Sequence, residues 1–194
     1  MLSGRPIAPL LVLLLALGCA NARLISADRT LKLRPNQGIL VVHVDSDFPI
    51  RKLRFGTHYD VANSISAGEY LVMAVVPAGD YHWTRIEVPG GYGRYFRFRI
   101  KPEAEWSFVV RPGVINYPGQ IFVEGSEDAL KTRGLMYTWT ENRSAVILEK
   151  LRETYPKLLA QHPLEYSRTE RDDYLEIYQA LVPLGASDPG NVSK

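Results

Sequence analysis

Between Ile39 and Val123 the chain is cut every few residues by proline or glycine, and what lies between the cuts is short and rich in β-branched or aromatic residues. PNQG at Pro35, PAGD at Pro77, PGGYG at Pro89, RPG at Arg111 and PG at Pro118 are turn chemistry: Pro presets φ and Gly accepts conformations that side chains resist. No segment between these cuts repeats its apolar residues three and four apart, so the pattern predicts strands and excludes interleaved helices. In ILVVHVDSD (39–47), Leu40, Val42 and Val44 share one face, and Ile39, Val41 and His43 the other. In YFRFRI (95–100), Phe96, Phe98 and Ile100 alternate with Tyr95, Arg97 and Arg99, the period of a half-buried strand. IRKLRFG (50–56) and WSFVV (106–110) add two more. EYLVMAVVPAGDYHWTRIEV (69–88) reads as a β-hairpin folded at PAGD, with Tyr81, Trp83 and Arg85 alternating against His82, Thr84 and Ile86. INYPGQIFVEG (115–125) reads as a closing strand, bulged or at a sheet edge, because Pro118 lacks the ladder N–H. Seven to eight such strands predict a mainly β, antiparallel sandwich.

Past residue 140 the period changes. Ile147, Leu148, Leu151, Tyr155, Leu158 and Leu159 recur at helical spacing over 144–160, and Pro156 must kink that helix or begin a second one. Ser167-Arg168-Thr169-Glu170 is a capping-box pattern, and the helix it opens would present Tyr174, Leu175, Tyr178 and Leu181 on one face. These readings divide the chain into a leader (1–18), a tether (19–34), a β domain (35–140), a short C-terminal helical segment (141–182) and a polar tail (183–194).

The leader has one positive residue, Arg5, then LLVLLLAL from Leu10 to Leu17, too short to span a bilayer as a helix. Two cleavage sites lie beyond it. Ala20-Asn21-Ala22 would release a soluble chain starting at Arg23. Ala16-Leu17-Gly18-Cys19 resembles the bacterial lipobox, whose cysteine is diacylated and becomes the mature N-terminus. Cys19 is the sole cysteine of the chain, so it has no disulfide partner in an oxidising compartment. The lipobox resemblance implies lipidation of Cys19 and a membrane contact through two acyl chains. With Ala20 rather than Asp after the cysteine, it further implies the outer membrane facing the periplasm.

PAGDYHW (77–83) and RPGVINYPGQIFV (111–123) resemble a recurrent pair in small proteobacterial lipoproteins of unknown function. Their domain is similar to the transthyretin-like or carboxypeptidase-regulatory-like sandwich. Gly113, Ile115, Tyr117 and Gly119 fill the second pattern. The resemblance spans about residues 38–125 and implies no catalytic residue.

Lys and Arg number 23 against 21 Asp and Glu, a balance that argues against a dedicated nucleic-acid binder. His43, His58, His82 and His162 lack the spacing of a helical metal pair, and no cofactor is implied. His43 and His82 fall in strands that could face each other across a sheet. GTHYD (56–60) sets His58 near Asp60 without a nucleophile elbow. Arg97 and Arg99 share a strand face with Tyr95, with Arg51, Lys52 and Arg54 earlier in the chain. This face is the candidate site for an anion, an envelope protein or a glycan. The expected role is non-catalytic binding or scaffolding at the cell envelope. The alternatives are an assembly lipoprotein of a secretion machine and a cell-wall hydrolase using Asp60 or Asp80.

Overall fold

A computed structural model describes residues 22–61, 64–90, 93–125, 136–168 and 172–181. The chain is mainly β, and its described residues form two mostly antiparallel sheets and three helices. The first sheet has the order β1 (Arg23–Ile25), β5 (Gly68–Pro77), β2 (Gln37–Ser46), β10 (Gln120–Glu124), β11 (Tyr137–Glu141). β9 (Ile115–Tyr117) also pairs with β2, and β12 (Leu164–Tyr166) pairs with β9. The second sheet has the order β4 (Tyr59–Asp60), β3 (Lys52–Phe55), β6 (Gly79–Pro89), β7 (Tyr95–Arg99), with β8 (Ser107–Val110) on the lower part of β6. The helices are α1 (Ser144–Thr154), α2 (Pro156–Gln161) and α3 (Asp173–Leu181).

β2 shows how the alternation is used. Leu40, Val42 and Val44 join Leu53, Phe55, Trp83, Ile86 and Phe108 of the second sheet in one buried cluster. Ile39 and Val41 join Met73, Ile115, Leu148, Leu151 and Leu158 in another, under the helices. Pro156 begins α2, since its missing N–H is no loss in the first turn.

Several expectations are corrected. The 69–88 stretch is not a hairpin. β5 pairs with β1 and β2, whereas β6 pairs with β3, β7 and β8, so the chain crosses from one sheet to the other at Pro77-Ala78-Gly79. The turn residues reverse the chain, but the two apolar arms meet through their side chains: Ala74 and Val76 share a core with Trp83 and Ile86. The twelve strands among the described residues exceed the seven or eight expected, and three of their pairings are parallel: β2 with β9, β2 with β10, and β9 with β12. The break at Pro118-Gly119 is internal, not at an edge. Gly119 has φ 101°, and a Cβ there would sit 2.7 Å from the Glu141 carbonyl. The break lets β9 take β12 as its outer neighbour while β10 takes β11.

The expected tether is part of the domain from Ala22 onward. Ala22, Ile25 and Leu31 are buried, and β1 runs antiparallel to β5 with Arg23 opposite Val75. Asp28 accepts from the Lys157 and Leu158 amides at 3.1 Å each, so it caps α2 from a distance. The helical segment is likewise woven in, because β12 adds to the first sheet. At the start of α3 the capping side chain is Asp172, which accepts from Leu175 N at 3.0 Å. Ser167 is instead buried, its amide bonded to the Tyr117 carbonyl. Thr169 and Glu170 lie outside the described residues. On α3 only Leu175 is buried, whereas Tyr174 and Leu181 are exposed.

Candidate functional site

The basic face assembles on the outer side of the second sheet, and a β-bulge puts it there. In β6, Trp83 points into the core and so does Ile86, three residues on. Strict alternation would have turned Ile86 outward. The pairing with β3 explains the change: Arg54 pairs with Arg85 and Phe55 with Trp83, so Thr84 is an extra residue. Thr84 Oγ1 donates to the Arg54 carbonyl at 3.2 Å, which holds the bulge. Past it, Arg85 and Glu87 face out with the charged residues of β3 and β7. The sequence grouping of Arg85 with Trp83 is thereby overturned.

Two rows cross the strands. One runs Lys52, Glu87, Arg97; the other runs Asp60, Arg54, Arg85, Arg99. Glu87 is 2% exposed and holds the first row together. Its Oε1 accepts from Arg85 Nη1 at 3.3 Å and lies 3.2 Å from Arg97 Nε. Its Oε2 lies 3.6 Å from Arg51 Nε, and the Glu87 carbonyl accepts from the Arg51 amide at 2.7 Å. Arg51 in turn covers the Tyr95 ring at 4.1 Å, a cation–π contact. Asp60 is held by Arg54 at 2.7 Å and Lys52 at 3.0 Å. Burial raises its pKa, but the hydrogen bonds from Arg54 and Lys52 prevail and hold the carboxyl below its ordinary value. The face therefore brings together all three residues singled out in the sequence, Tyr95, Arg97 and Arg99. It adds Arg85 and Glu87, which local pattern did not reveal.

Other clusters are internally satisfied. His43 is buried on the helix-covered side of the first sheet, with Nε2 2.6 Å from Glu69 Oε1 and Nδ1 3.4 Å from the Tyr117 hydroxyl. Lys150 of α1 bonds the same Glu69 carboxylate. Burial lowers the His43 pKa against the pull of Glu69, and hydrogen bonds from Lys150 and His43 lower that of Glu69. The arrangement ties α1 to the sheet. His82 does not face His43: it is on the second sheet, opposite Ser107. Among the described residues, no group of three His, Cys, Asp or Glu side chains is placed to hold a metal.

A cleft of about 540 Å³ beside β12 and α3 is lined by Arg111, Glu165, Arg168 and Asp172. Arg111 pairs with Glu165 at 3.3 Å, Arg168 donates to the Pro118 carbonyl at 2.7 Å, and Asp172 serves as the α3 cap. Asp80 lines a separate cleft of about 310 Å³ with His82 and Ser107, and Asp60 is not part of that lining. Cys19 lies outside the described residues. Among those residues no helix is long and apolar enough to cross a membrane. Comparison with protein-family models, curated proteins and solved structures found no match.

Proposed function

We propose that this chain is a lipid-anchored envelope protein with a non-catalytic binding or scaffolding role, acylated at Cys19 and built on a transthyretin-like sandwich. The observation that supports the anchor is the place of Ala22. Cleavage before Arg23 would remove a residue buried in the cluster shared by the two sheets. Cleavage before Cys19 keeps it and leaves Ala20 and Asn21 as the leash. Three Cα–Cα steps from Cys19 to Ala22 span at most about 11 Å. The domain is then tied close to the bilayer by the end of the sheet where β5 gives way to β6. The binding role is supported by the basic face, whose cations exceed its carboxylates.

Intact-mass analysis of wild type and Cys19→Ser, with membrane fractionation, tests the anchor. The expected wild-type product starts at Cys19, carries lipid and sediments with membranes, and the variant does neither. A wild-type product that starts at Arg23 without lipid overturns the reading.

A further inference from the structure

We propose that the arginine rows of β3, β6 and β7 bind an acidic glycan, a polymer of sugars bearing carboxylate or phosphate groups. The inference rests on the binding role above, and only its exclusion of membrane head groups also uses the lipid anchor. It starts from an imbalance. Arg51, Lys52, Arg54, Arg85, Arg97 and Arg99 share this face with two carboxylates, Asp60 and Glu87. Both carboxylates are already engaged by the cations beside them. Arg54, Arg85 and Arg99 nevertheless stand in register on three adjacent strands, and like charges directly opposite one another are destabilising. Arg99 has no ion-pair partner among the described residues. Such a row leaves positive charge that an anion outside the sheet can offset.

The form of the face narrows the complement. The charges repeat at about 4.8 Å across the strands and about 6.7 Å along them, which suits a polymer with repeated anions better than a single ion. The face is open: Arg97 is 67% exposed and Tyr95 48%. Five of the six cations are arginine, whose planar fork meets carboxylate and phosphate oxygens two at a time. Tyr95 stands at the end of β7 next to the first row; its ring is stacked with Arg51 yet remains exposed, and it offers an apolar body with a polar tip, the amphipathic surface that a sugar ring matches. Glu87 orients Arg85 and Arg97, so their positions are set before a ligand arrives.

The position on β6 argues against head groups of the anchoring membrane. Arg85 lies six residues beyond Gly79, about 20 Å along the strand from the tethered end. That exceeds the screening length of about 8 Å at physiological salt. The rows thus sit where a chain above the bilayer meets them.

The test uses the purified full-length protein and four probes: polygalacturonate, phosphorylated mannan, polyglutamate and phosphatidylglycerol vesicles. Wild type is expected to bind at least one of the two glycans more tightly than polyglutamate of equal charge, with affinity falling as salt rises. Arg97→Ala with Arg99→Ala is expected to weaken that binding about tenfold or more. Arg97→Lys with Arg99→Lys, which keeps the charge but not the fork, falls between. Arg23→Ala with Arg34→Ala removes the same charge at the other end of the molecule and should change affinity less than about twofold. Tyr95→Ala should weaken glycan binding and leave polyglutamate binding as it was. Failure to bind either glycan, tighter binding of polyglutamate or vesicles, or equal losses in the two alanine pairs overturns the proposal. The mass of the same preparation reports the anchor separately.

Discussion

The outer face of the first sheet carries Ile39, Val41, Met73, Val75 and Ile115, and α1 and α2 lie over it. The outer face of the second carries Lys52, Arg54, Arg85, Arg97 and Arg99, and no helix covers it among the described residues. Both sheets place apolar side chains on their inner faces in the same alternating way. They differ in what the other half of the alternation is made of, and that decides whether the chain returns to cover it. An apolar outer face must be buried, and Ile147, Leu148 and Leu151 of α1, Leu158 and Leu159 of α2 and Leu175 of α3 do so. A charged outer face is stable in water without a cover, and so is available to a ligand. The boundary case is His43, the next outer residue of β2 after Val41, which is buried but keeps Glu69 as a partner, a carboxylate that Lys150 shares.

The comparison can be broken most forcefully on the covered side. Leu151 of α1 is fully buried against the first sheet. Leu151→Ala is expected to cost about 2–5 kcal/mol, read as a lowered urea midpoint, because the cavity cannot close between two rigid layers. On the bare side the residue that matters is the buried carboxylate. Glu87→Gln leaves Arg51, Arg85 and Arg97 without their shared counter-charge and should cost about 1–3 kcal/mol at low salt. High salt should restore much of that loss, since it screens the exposed arginines from one another. A Leu151→Ala deficit should show no such recovery.

The smallest effect sharpens the boundary case. Burial holds His43 below its ordinary value of 6.5 in the folded protein. Below pH 6.5 the unfolded chain takes up a proton that the folded chain refuses, so stability falls with pH until the folded-state value is passed and then levels. Glu69 is held below its ordinary 4.5, and its contribution is lost as pH drops through that lower folded-state value. His43→Gln should delete the first step and leave the second. Urea midpoints measured across pH 7 to 3 check this, and an unchanged first step assigns it to another group.

The extent to which this architecture was legible depends on how local each signal is. The alternation in 39–47 and 95–100, the helical spacing after Ser144 and the new helix at Pro156 are properties of a few adjacent residues, and they appear where the pattern puts them. Pairing is not local. PAGD turns a chain equally well into a hairpin or from one sheet into another, and Ala74 and Trp83 look alike whether they sit side by side or face to face. β1, β11 and β12 are short or threonine-rich, and each is a strand because a neighbour supplies its ladder. At the site, Tyr95, Arg97 and Arg99 were readable from β7 alone. Arg85 and Glu87 were hidden by the extra residue before them. Their exposure to the same face depends on register with two other strands.

That extra residue has a consequence for how the chain can change. Along most of β6, as along any strand, a lost residue sends every later side chain to the opposite face. At Thr84 the extra residue already offsets the alternation. Deleting this one position would return the strand to plain alternation, with Arg85 and Glu87 still outward and Ile86 and Val88 still in the core. Anywhere else in β6 the same loss would act like a reading-frame error in three dimensions, because β3 and β7 fix the register from both sides. The strand can therefore shorten by one residue at Thr84 and has almost no freedom in length elsewhere.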